Sequence, residues 1–474
     1  MRSIIASLVL ISFVFAAEPN DKTNFSEPLI VIAAWIEAQR DYENIPSISA
    51  GIVVDEELIW SNGFGYSDLG LKVLATDSTI YSICSISKLF TSIAIMQLRD
   101  QGKLDLDDNI SEHLPWFNIE QAHPKSAPVT IRSLLTHSSG LPRESDYPYW
   151  TDPEFPFPNQ EQLRERLSEQ ETLYPASTVF QYSNLGLSLL GEIVAEKSGV
   201  SYEKYVYENI LNRLRLSDTR PELPESLRRE QLATGYSVES REGSREELAF
   251  FQARAIAPAA GFSSSVKDLA KFASWQFKAL EVIEDPVLSG NTLREMQRVH
   301  WMEPDGEVTR GLGFGVGKLD DMTIVGHSGG CPGYQSQFRL IPKKKWAFIV
   351  MVNGLGTNTY RYVEGMYHIL KSYEKEEIAE IPPEVNLEDY GGKYFSFWGG
   401  ESIIVPWKGK LAIFNLRSPN QKKPGMIMKH VEGDIFKRVR DDEKVGEEIK
   451  FERNENGKVI RFWQHSQYVN KINL

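Results

Sequence analysis

Cysteine is scarce in this 474-residue chain, which contains two, Cys84 and Cys331. Two cysteines exclude a disulfide-rich scaffold, and the eight histidines show no ligand spacing that indicates a metal site. Basic residues are also in deficit, with 52 Lys and Arg against 65 Asp and Glu and a net charge of −13. Such an acidic chain is a poor partner for nucleic acid or an anionic membrane surface. The sequence therefore predicts no metal, no cofactor and no nucleic acid partner.

Long hydrophobic runs are absent from the chain after its N-terminal segment. The most apolar run in the rest of the chain, Trp346–Val352, has only the length of a strand. At the N-terminus, Arg2 precedes the apolar stretch Ile4–Phe15 and the small residues Ala16 and Ala17. This order is typical of an export signal, and the stretch is short for a membrane span, although a retained anchor is the alternative. We therefore expect a signal peptide over residues 1–16 and a periplasmic or secreted protein without stable membrane insertion.

A charged segment followed by Pro382 and Pro383 divides the chain into two parts. In the first part, strand patterns near both ends bracket a helical middle, which is typical of a sheet with helices segregated around it. The second part shows short strands with hairpin turns and no helical pattern. We predict an α+β fold for the first part, with an antiparallel sheet flanked by helices, and a small β-barrel or sandwich for the second part. We also expect that the first domain folds and hydrolyses its substrate without the second. The expected boundaries are 25–375 for the main domain, 376–387 for the linker and 388–474 for the β domain.

Ser85 and Lys88 lie at the start of a helical segment that is apolar on nearly all sides. Side chains at i and i+3 share a helix face, so the Lys88 amine can reach the Ser85 hydroxyl. A partly desolvated lysine can take the proton of such a hydroxyl and make it a nucleophile. The alternative is a helix cap beside a snorkelling lysine. Three further Ser-x-x-Lys matches, at Ser201, Ser264 and Ser372, lack apolar flanks on both sides and are predicted to be helix caps or solvated helix ends.

Tyr182 and Asn184 directly precede a second apolar helical segment, Leu185–Ala195. A tyrosine hydroxyl near a cationic lysine can have a lowered pKa and can shuttle a proton to a leaving group. An asparagine amide can contact both a lysine and a substrate amide. Because both residues lie where a loop enters a buried helix, we expect them to face a cleft.

The segment Gly326–Gly330 has two interpretations. As Gly-x-Ser-x-Gly it matches a nucleophile elbow with Ser328 as the nucleophile, but that elbow requires a helix directly afterwards. Here Pro332 and Gly333 follow, and both disfavour a helix. As His-Ser-Gly on a strand edge, the segment supplies a polar wall and a backbone N–H at Gly330, and we favour this interpretation.

Each cysteine adjoins one of these motifs, since Cys84 precedes Ser85 and Cys331 follows Gly330. If these two motifs converge in the fold, the two cysteines come close together as well. In an exported protein such a pair suggests a disulfide, whereas two buried thiols are the alternative. We expect proximity and leave the bond open.

The motifs, taken in this order, resemble those of the serine β-lactamase and penicillin-binding-protein superfamily, whose set is Ser-x-x-Lys, Ser-Asp-Asn and Lys-Thr-Gly. Tyr182-Ser183-Asn184 is similar to the second motif of class C β-lactamases and D-Ala-D-Ala carboxypeptidases. His327-Ser328-Gly329 is similar to the third motif of carboxypeptidase, D-aminopeptidase and esterase-like branches. Residues 129–142 and 258–264 also look similar, and the resemblance covers about residues 28–370. The β domain resembles the lipocalin-like appendage of some members.

The resemblance implies a transpeptidase-like domain in which Ser85 attacks a carbonyl and forms an acyl-enzyme. Lys88 and Tyr182 would share the base and acid roles, and the Ser85 and Gly330 N–H groups would form the oxyanion hole. His327 would favour a substrate carboxylate when it is protonated. The implied substrate-binding residues are Asn184, His327, Ser328 and Gly329.

Three functions remain open at this point. A peptidase acting on D-amino-acid-containing or cell-wall-type peptides is favoured by the His-Ser-Gly wall. A carboxylesterase on small acyl esters would use the same machinery. A non-catalytic penicillin-binding or scaffold protein is disfavoured by the presence of Ser85, Lys88 and Tyr182. We expect an exported serine hydrolase with a small peptide or acyl ester substrate, in which His137 is structural.

Overall fold

The computed structural model describes residues 24–472, so the predicted signal peptide lies outside the described residues. The helices of this range are α1 Ser26–Tyr42, α2 Ser87–Asp100, α3 Ile131–Leu135, α4 Gln160–Leu167, α5 Asn184–Ser198, α6 Tyr202–Val206, α7 Ala257–Ala260, α8 Val266–Glu281, α9 Gly290–Met296 and α10 Tyr360–Lys375. The strands of the main domain are β1 Ser47–Val54, β2 Glu57–Asp68, β3 Val73–Leu74, β4 Tyr81–Ser82, β5 Ser263–Ser264, β6 Trp301–Met302, β7 Thr309–Arg310, β8 Gly315–Leu319, β9 Met322–Cys331, β10 Tyr334–Ile341 and β11 Trp346–Val352. The remaining strands are β12 Gly392–Ser396, β13 Gly400–Trp407, β14 Lys410–Asn415, β15 Met426–Glu432, β16 Ile435–Val439, β17 Val445–Arg453, β18 Val459–Gln464 and β19 Gln467–Lys471.

A nine-stranded antiparallel sheet forms the centre of the main domain, in the order β3-β2-β1-β11-β10-β9-β8-β7-β6. The first and last parts of the domain meet in its middle, where β1 pairs with β11. Helices α1 and α10 pack in the apolar layer on one face, and α2, α5 and α8 pack in the layer on the other. The predicted α+β architecture is confirmed.

Every residue of helix α2 from Ser87 to Leu98 is buried, so other elements surround the helix on all sides. It packs against α5 and α7, and the short 3-10 turn Cys84–Ile86 leads directly into it. A helix that is buried on all sides needs apolar residues around its whole circumference, as the sequence shows here. The turn that carries Ser85 is therefore held at the edge of the core.

The structure decides two local interpretations. Strand β9 continues through Ser328 to Cys331 and is followed by another strand, so the favoured strand-edge interpretation is confirmed and the nucleophile-elbow alternative is wrong. The cap of α8 is Ser265, whose side chain accepts from the Asp268 N–H, and Ser264 lies in β5 instead. Ser201 caps α6 as predicted.

The C-terminal strands close into an eight-stranded barrel, because β12 pairs with β19 as well as with β13. This closure decides between the barrel and the sandwich that the hairpin pattern left open. Aromatic side chains fill the barrel interior, among them the buried Tyr394, Phe451 and Phe462. The interior is consequently a packed core. In the described part of the chain, no helix is long and apolar enough to cross a membrane.

The barrel shares an apolar layer with the main domain. Trp407 is fully buried there, with its ring 4.9 Å from Tyr373 of α10. The Trp35 indole N–H and the Gln39 amide of α1 donate to backbone carbonyls of the barrel at Ser418 and Leu416, over 2.9 and 2.6 Å. Deleting the barrel would expose this apolar layer to water. The contact therefore argues against our expectation that the main domain does not need the barrel for folding.

We predict that Trp407→Ala lowers the free energy of unfolding by about 3–5 kcal/mol, because it removes a buried aromatic side chain from the interface. Denaturant unfolding measures this change. Trp398→Ala is the matched control, since that tryptophan belongs to the same barrel and is 80% exposed. Equal midpoints for the two variants would show that the interface does not stabilise the protein.

Candidate active site

Ser85 lies in the tight turn between β4 and α2. The preceding residue, Cys84, has a φ of +51°. Residues other than glycine rarely adopt this left-handed conformation, and they need stabilising contacts from their surroundings to do so. That support is present, because the Ile83 N–H donates to the Phe262 carbonyl over 2.9 Å and the Ser336 hydroxyl donates to the Ile83 carbonyl over 3.0 Å. The nucleophile candidate is thus fixed by contacts from two other elements.

Lys88 has no exposed surface, and its amine faces three oxygens. Its Nζ lies 3.2 Å from the Ser85 Oγ, 2.8 Å from the Asn184 Oδ1 and 2.7 Å from the Ala259 carbonyl oxygen. Burial lowers the pKa of Lys88 below its ordinary value, and the neighbouring Tyr182 and Glu144 partly oppose this shift. The spacing argument from the sequence is confirmed in its geometry: the lysine reaches the serine hydroxyl, and Ser85 is not a helix cap.

Tyr182 lies in the loop before α5, with its ring centroid 4.9 Å from the Lys88 Nζ. His137 stacks on this ring at 4.3 Å, and its Nδ1 accepts the Ser183 backbone N–H over 3.1 Å. Burial and the charge of Lys88 hold the pKa of His137 well below its ordinary value. His137 therefore supports the Tyr182 loop from behind as a buried, neutral ring.

Asn184 is the first residue of α5 and is buried behind Lys88. Its Nδ2 donates to the Glu144 Oε1 over 2.8 Å, while its Oδ1 accepts from Lys88. Tyr149, also buried, donates its hydroxyl to the other oxygen of Glu144. Since a carboxylate can only accept, Glu144 fixes which end of the amide faces the lysine. The structure thus places Asn184 against the lysine, away from the cleft surface where we expected it to bind substrate.

The end of β9 forms one wall of the site. Ser328 and Gly330 are exposed there, and His327 is buried. A Cβ at Gly329 would lie 2.2 Å from the Ile83 carbonyl oxygen, so glycine is what allows β9 to approach the Ser85 turn. Burial and then the charge of Lys88 keep the pKa of His327 well below its ordinary value. His327 is therefore neutral at physiological pH and brings no positive charge to a substrate carboxylate.

A disulfide joins Cys84 to Cys331, with the two Cα atoms 5.7 Å apart. The expected convergence of the two motifs is confirmed, and the bond that we left open is present. It ties the residue before Ser85 to the residue after Gly330. Both candidate oxyanion-hole amides thus belong to one cross-linked unit.

Ser85 opens into a cleft of about 320 Å³. Its lining is Ser85, Arg143, Tyr182, Arg310, His327, Ser328, Gly330 and Arg339. Glu144 and the three arginines were not identified in the sequence, because each lies on a loop or strand outside the motifs and no local pattern marks it. Among residues 24–472 no group of three His, Cys, Asp or Glu side chains could hold a metal ion.

Comparison with known proteins identifies relatives over the main domain. A family model described as Beta-lactamase matches residues 32–371. "Beta-lactamase-like protein 2" of Dictyostelium discoideum is 29% identical over 312 residues, which is 63% of this chain and 54% of that protein. "Protein flp" of Staphylococcus aureus is 26% identical over 316 residues, 65% of this chain and 60% of that protein. The chain thus spans little more than half the length of these relatives.

Solved structures share the fold. The octameric penicillin-binding protein homologue from Pyrococcus abyssi matches with a TM-score of 0.65 and 26% identity over 94% of this chain and all of that one. The D-amino acid amidase from Ochrobactrum anthropi SV3, complexed with D-phenylalanine, matches with a TM-score of 0.62 and 21% identity over 72% of this chain and 99% of that one. Together with the family match over most of the chain, these similarities show that the protein belongs to the β-lactamase family of serine hydrolases, within the penicillin-binding-protein superfamily.

Proposed function

We propose that this protein hydrolyses D-amino-acid-containing or cell-wall-type peptides through an acyl-enzyme on Ser85. The observation that carries the proposal is the buried Lys88, whose amine lies 3.2 Å from the Ser85 hydroxyl and whose pKa is lowered by burial. A lysine in this state can be neutral at working pH and can accept a proton. A structural ion pair would instead place a carboxylate in direct contact with the amine.

The reaction would begin with attack of the Ser85 Oγ on the substrate carbonyl carbon, while the hydroxyl proton passes to the Lys88 Nζ. The C–N bond of the tetrahedral intermediate then breaks, and Tyr182 and Lys88 return that proton to the leaving amine. Water attacks the resulting ester of Ser85 with the same groups acting as base and acid, which restores the serine. No other reactant is needed.

The developing oxyanion would lie between the backbone N–H groups of Ser85 and Gly330. Both residues line the cleft, and the disulfide connects their neighbours Cys84 and Cys331. Donors fixed before the reaction stabilise the transition state without reorganising, so the cross-link supports this role.

The D-peptide substrate is supported by the motif set and by the fold shared with the D-amino acid amidase. An ester would use the same machinery. The two substrates are separated by comparing a D-Ala-D-Ala peptide with a series of p-nitrophenyl esters. A kcat/KM for the peptide above that of every ester supports the peptidase, and turnover of esters alone assigns a carboxylesterase.

We also propose that the protein is exported. The charged start and apolar stretch of residues 2–15 support this, as does the Cys84–Cys331 disulfide, since such bonds persist in oxidising compartments.

We predict that Ser85→Ala abolishes covalent labelling by a fluorescent phosphonate, because it removes the attacking oxygen. Gel fluorescence and mass spectrometry of the labelled peptide measure this. Ser328→Ala is the matched control at the exposed serine of the same cleft and should still be labelled at Ser85. Labelling that persists in Ser85→Ala and is lost in Ser328→Ala would assign the nucleophile to β9.

We predict that Lys88→Ala and Tyr182→Phe each lower kcat by about 10²- to 10⁴-fold, the usual cost of losing a general base or acid. Combined with Ser85→Ala, neither should cause a further loss, because the three residues act as a unit. Steady-state kinetics measure both effects, and circular dichroism confirms folding. Near-wild-type kcat in Lys88→Ala would contradict the mechanism.

We predict that Glu144→Gln shifts the acidic limb of the acylation rate to lower pH. The charge of Glu144 raises the pKa of Lys88, so its removal lowers that pKa and keeps the amine neutral in more acidic solution. The pH dependence of phosphonate labelling measures the shift. Glu161→Gln is the control, since that glutamate is exposed in the first turn of α4. A profile that moves equally in both variants, or in neither, would contradict the coupling.

A further inference from the structure

A second groove, of about 750 Å³, lies at the start of β9, between α8, α9 and the turn Pro342–Lys344 that follows β10. Because β9 and β10 are antiparallel, with Val325 opposite Leu340, this turn reaches the start of β9. We call this site the α8 groove. It shares no lining residue with the Ser85 cleft. Thr323 of its lining is about 20 Å along β9 from Gly330, at about 3.3 Å per residue, so the groove is separate from the proposed acyl-enzyme site.

The floor of the α8 groove is apolar. Its apolar side chains come from α8, β9 and the turn after β10, and they are Phe277, Leu280, Met322, Val325 and Pro342. Phe277 and Leu280 lie three positions apart and therefore share one side of α8. The apolar surface continues at Val282 and Ile283, which directly follow α8 and are 43% and 71% exposed. An open apolar surface of this size marks a place where a ligand or a partner binds.

Three basic side chains surround this floor, and none has an acidic partner among residues 24–472. Arg298, just after α9, and Lys343, in the turn after β10, are exposed. Arg294 of α9 donates to the Leu280 carbonyl over 2.6 Å and to the Asn291 side chain over 3.3 Å, so its charge is not compensated either. The three cations are thus available to an incoming anion.

The two carboxylates of the lining have basic partners. Glu281 pairs with Lys345, the fourth basic residue of the lining. Asp321, which is 83% exposed, lies 3.8 Å from the Lys371 amine. The lining contains four basic and two acidic side chains, so its excess charge is positive although the whole chain has a net charge of −13.

A ligand that suits this arrangement has an apolar chain and an anionic end. A small anion alone would leave the floor exposed to water, and a neutral apolar molecule would leave the three cations without a counter-ion. The volume of the groove lies within the range of roughly 300–1,000 Å³ that small-molecule sites occupy. Guanidinium and ammonium groups bind carboxylate and phosphate oxygens through charge-assisted hydrogen bonds.

We propose that the α8 groove binds a single-chain anionic amphiphile, with the alkyl chain on the apolar floor and the carboxylate or phosphate between Arg294, Arg298 and Lys343. Carboxylate and phosphate are two sources of the same chemistry, and the probes below distinguish them. The site is additional to the proposed hydrolysis and does not depend on it.

Calorimetric titration of the wild-type protein with decanoate, decyl phosphate and neutral decyl maltoside, each below its critical micelle concentration, tests this binding. At least one anion should bind with a one-to-one ratio and at least about tenfold tighter than decyl maltoside, because hydrogen bonds between charged groups are the stronger ones. Acetate and inorganic phosphate, which lack the chain, should bind at least about tenfold more weakly than the decyl anion with the same headgroup.

The tighter of the two decyl anions identifies the headgroup. None of the probes contains a carboxylic amide or ester, so the result is independent of hydrolysis at Ser85. Equal affinities for the charged and the neutral amphiphiles, or for a decyl anion and its bare headgroup, would overturn the proposal.

The double variant Arg298→Met/Lys343→Met removes two exposed charges and retains apolar bulk. It should bind the preferred decyl anion at least about tenfold more weakly than wild type and decyl maltoside within about twofold of wild type. Lys278→Met is the matched control, because that lysine of α8 is 63% exposed and lies outside the groove lining. Equal losses in the control and the double variant would show unspecific attraction of anions and overturn the proposal.

A decanoate analogue with a diazirine at the end of its chain locates the bound molecule. We expect mass spectrometry to find crosslinks in the peptides that contain Phe277–Glu281 or Met322–Val325, and an excess of the preferred decyl anion should abolish them. Crosslinks confined to the barrel or to the Ser85 cleft would overturn the proposal. So would a dimer, detected by native mass spectrometry, whose formation blocks this labelling, because the groove would then be a contact between two copies of the chain.

Discussion

Lys88 places an amine where water does not reach, and the arrangement of the site follows from the need to satisfy it. A buried ammonium is costly unless polar groups surround it, and here those groups are the Ser85 hydroxyl, the Asn184 amide oxygen and the Ala259 carbonyl. None of the three carries a formal charge. These three hydrogen bonds make burial of the amine possible. They stabilise its protonated form less than water would, so the pKa of Lys88 is lowered, as a general base requires.

The surrounding structure keeps these oxygens in place. Asn184 begins α5 and is oriented by Glu144, which is in turn held by Tyr149. On the opposite side, the disulfide and the close approach of Gly329 hold β9 against the Ser85 turn. The Ser85–Lys88 segment, Asn184 and the Gly330 amide thus come from three separate parts of the chain and are fixed by contacts that exist before a substrate binds.

Local spacing made the reactive pair predictable, because Ser85 and Lys88 are one helical turn apart and the apolar residues after them require a buried helix. Tyr182 could be placed for a similar reason, at the entry to a second buried helix. Glu144, Arg310 and Arg339 could not be predicted from local pattern. Their positions depend on strand register across β7 to β10 and on a loop that packs behind α5. Closure of the barrel likewise depends on pairing between its first and last strands, which hairpin turns do not specify.

The structure of a phosphonate adduct tests the central claim most directly. We predict a covalent bond between phosphorus and the Ser85 Oγ, with one phosphonyl oxygen at about 2.7–3.1 Å from the backbone nitrogens of both Ser85 and Gly330. The Lys88 amine should remain within hydrogen-bond distance of the Ser85 oxygen. An adduct on any other residue, or a phosphonyl oxygen that avoids both nitrogens, would contradict the account.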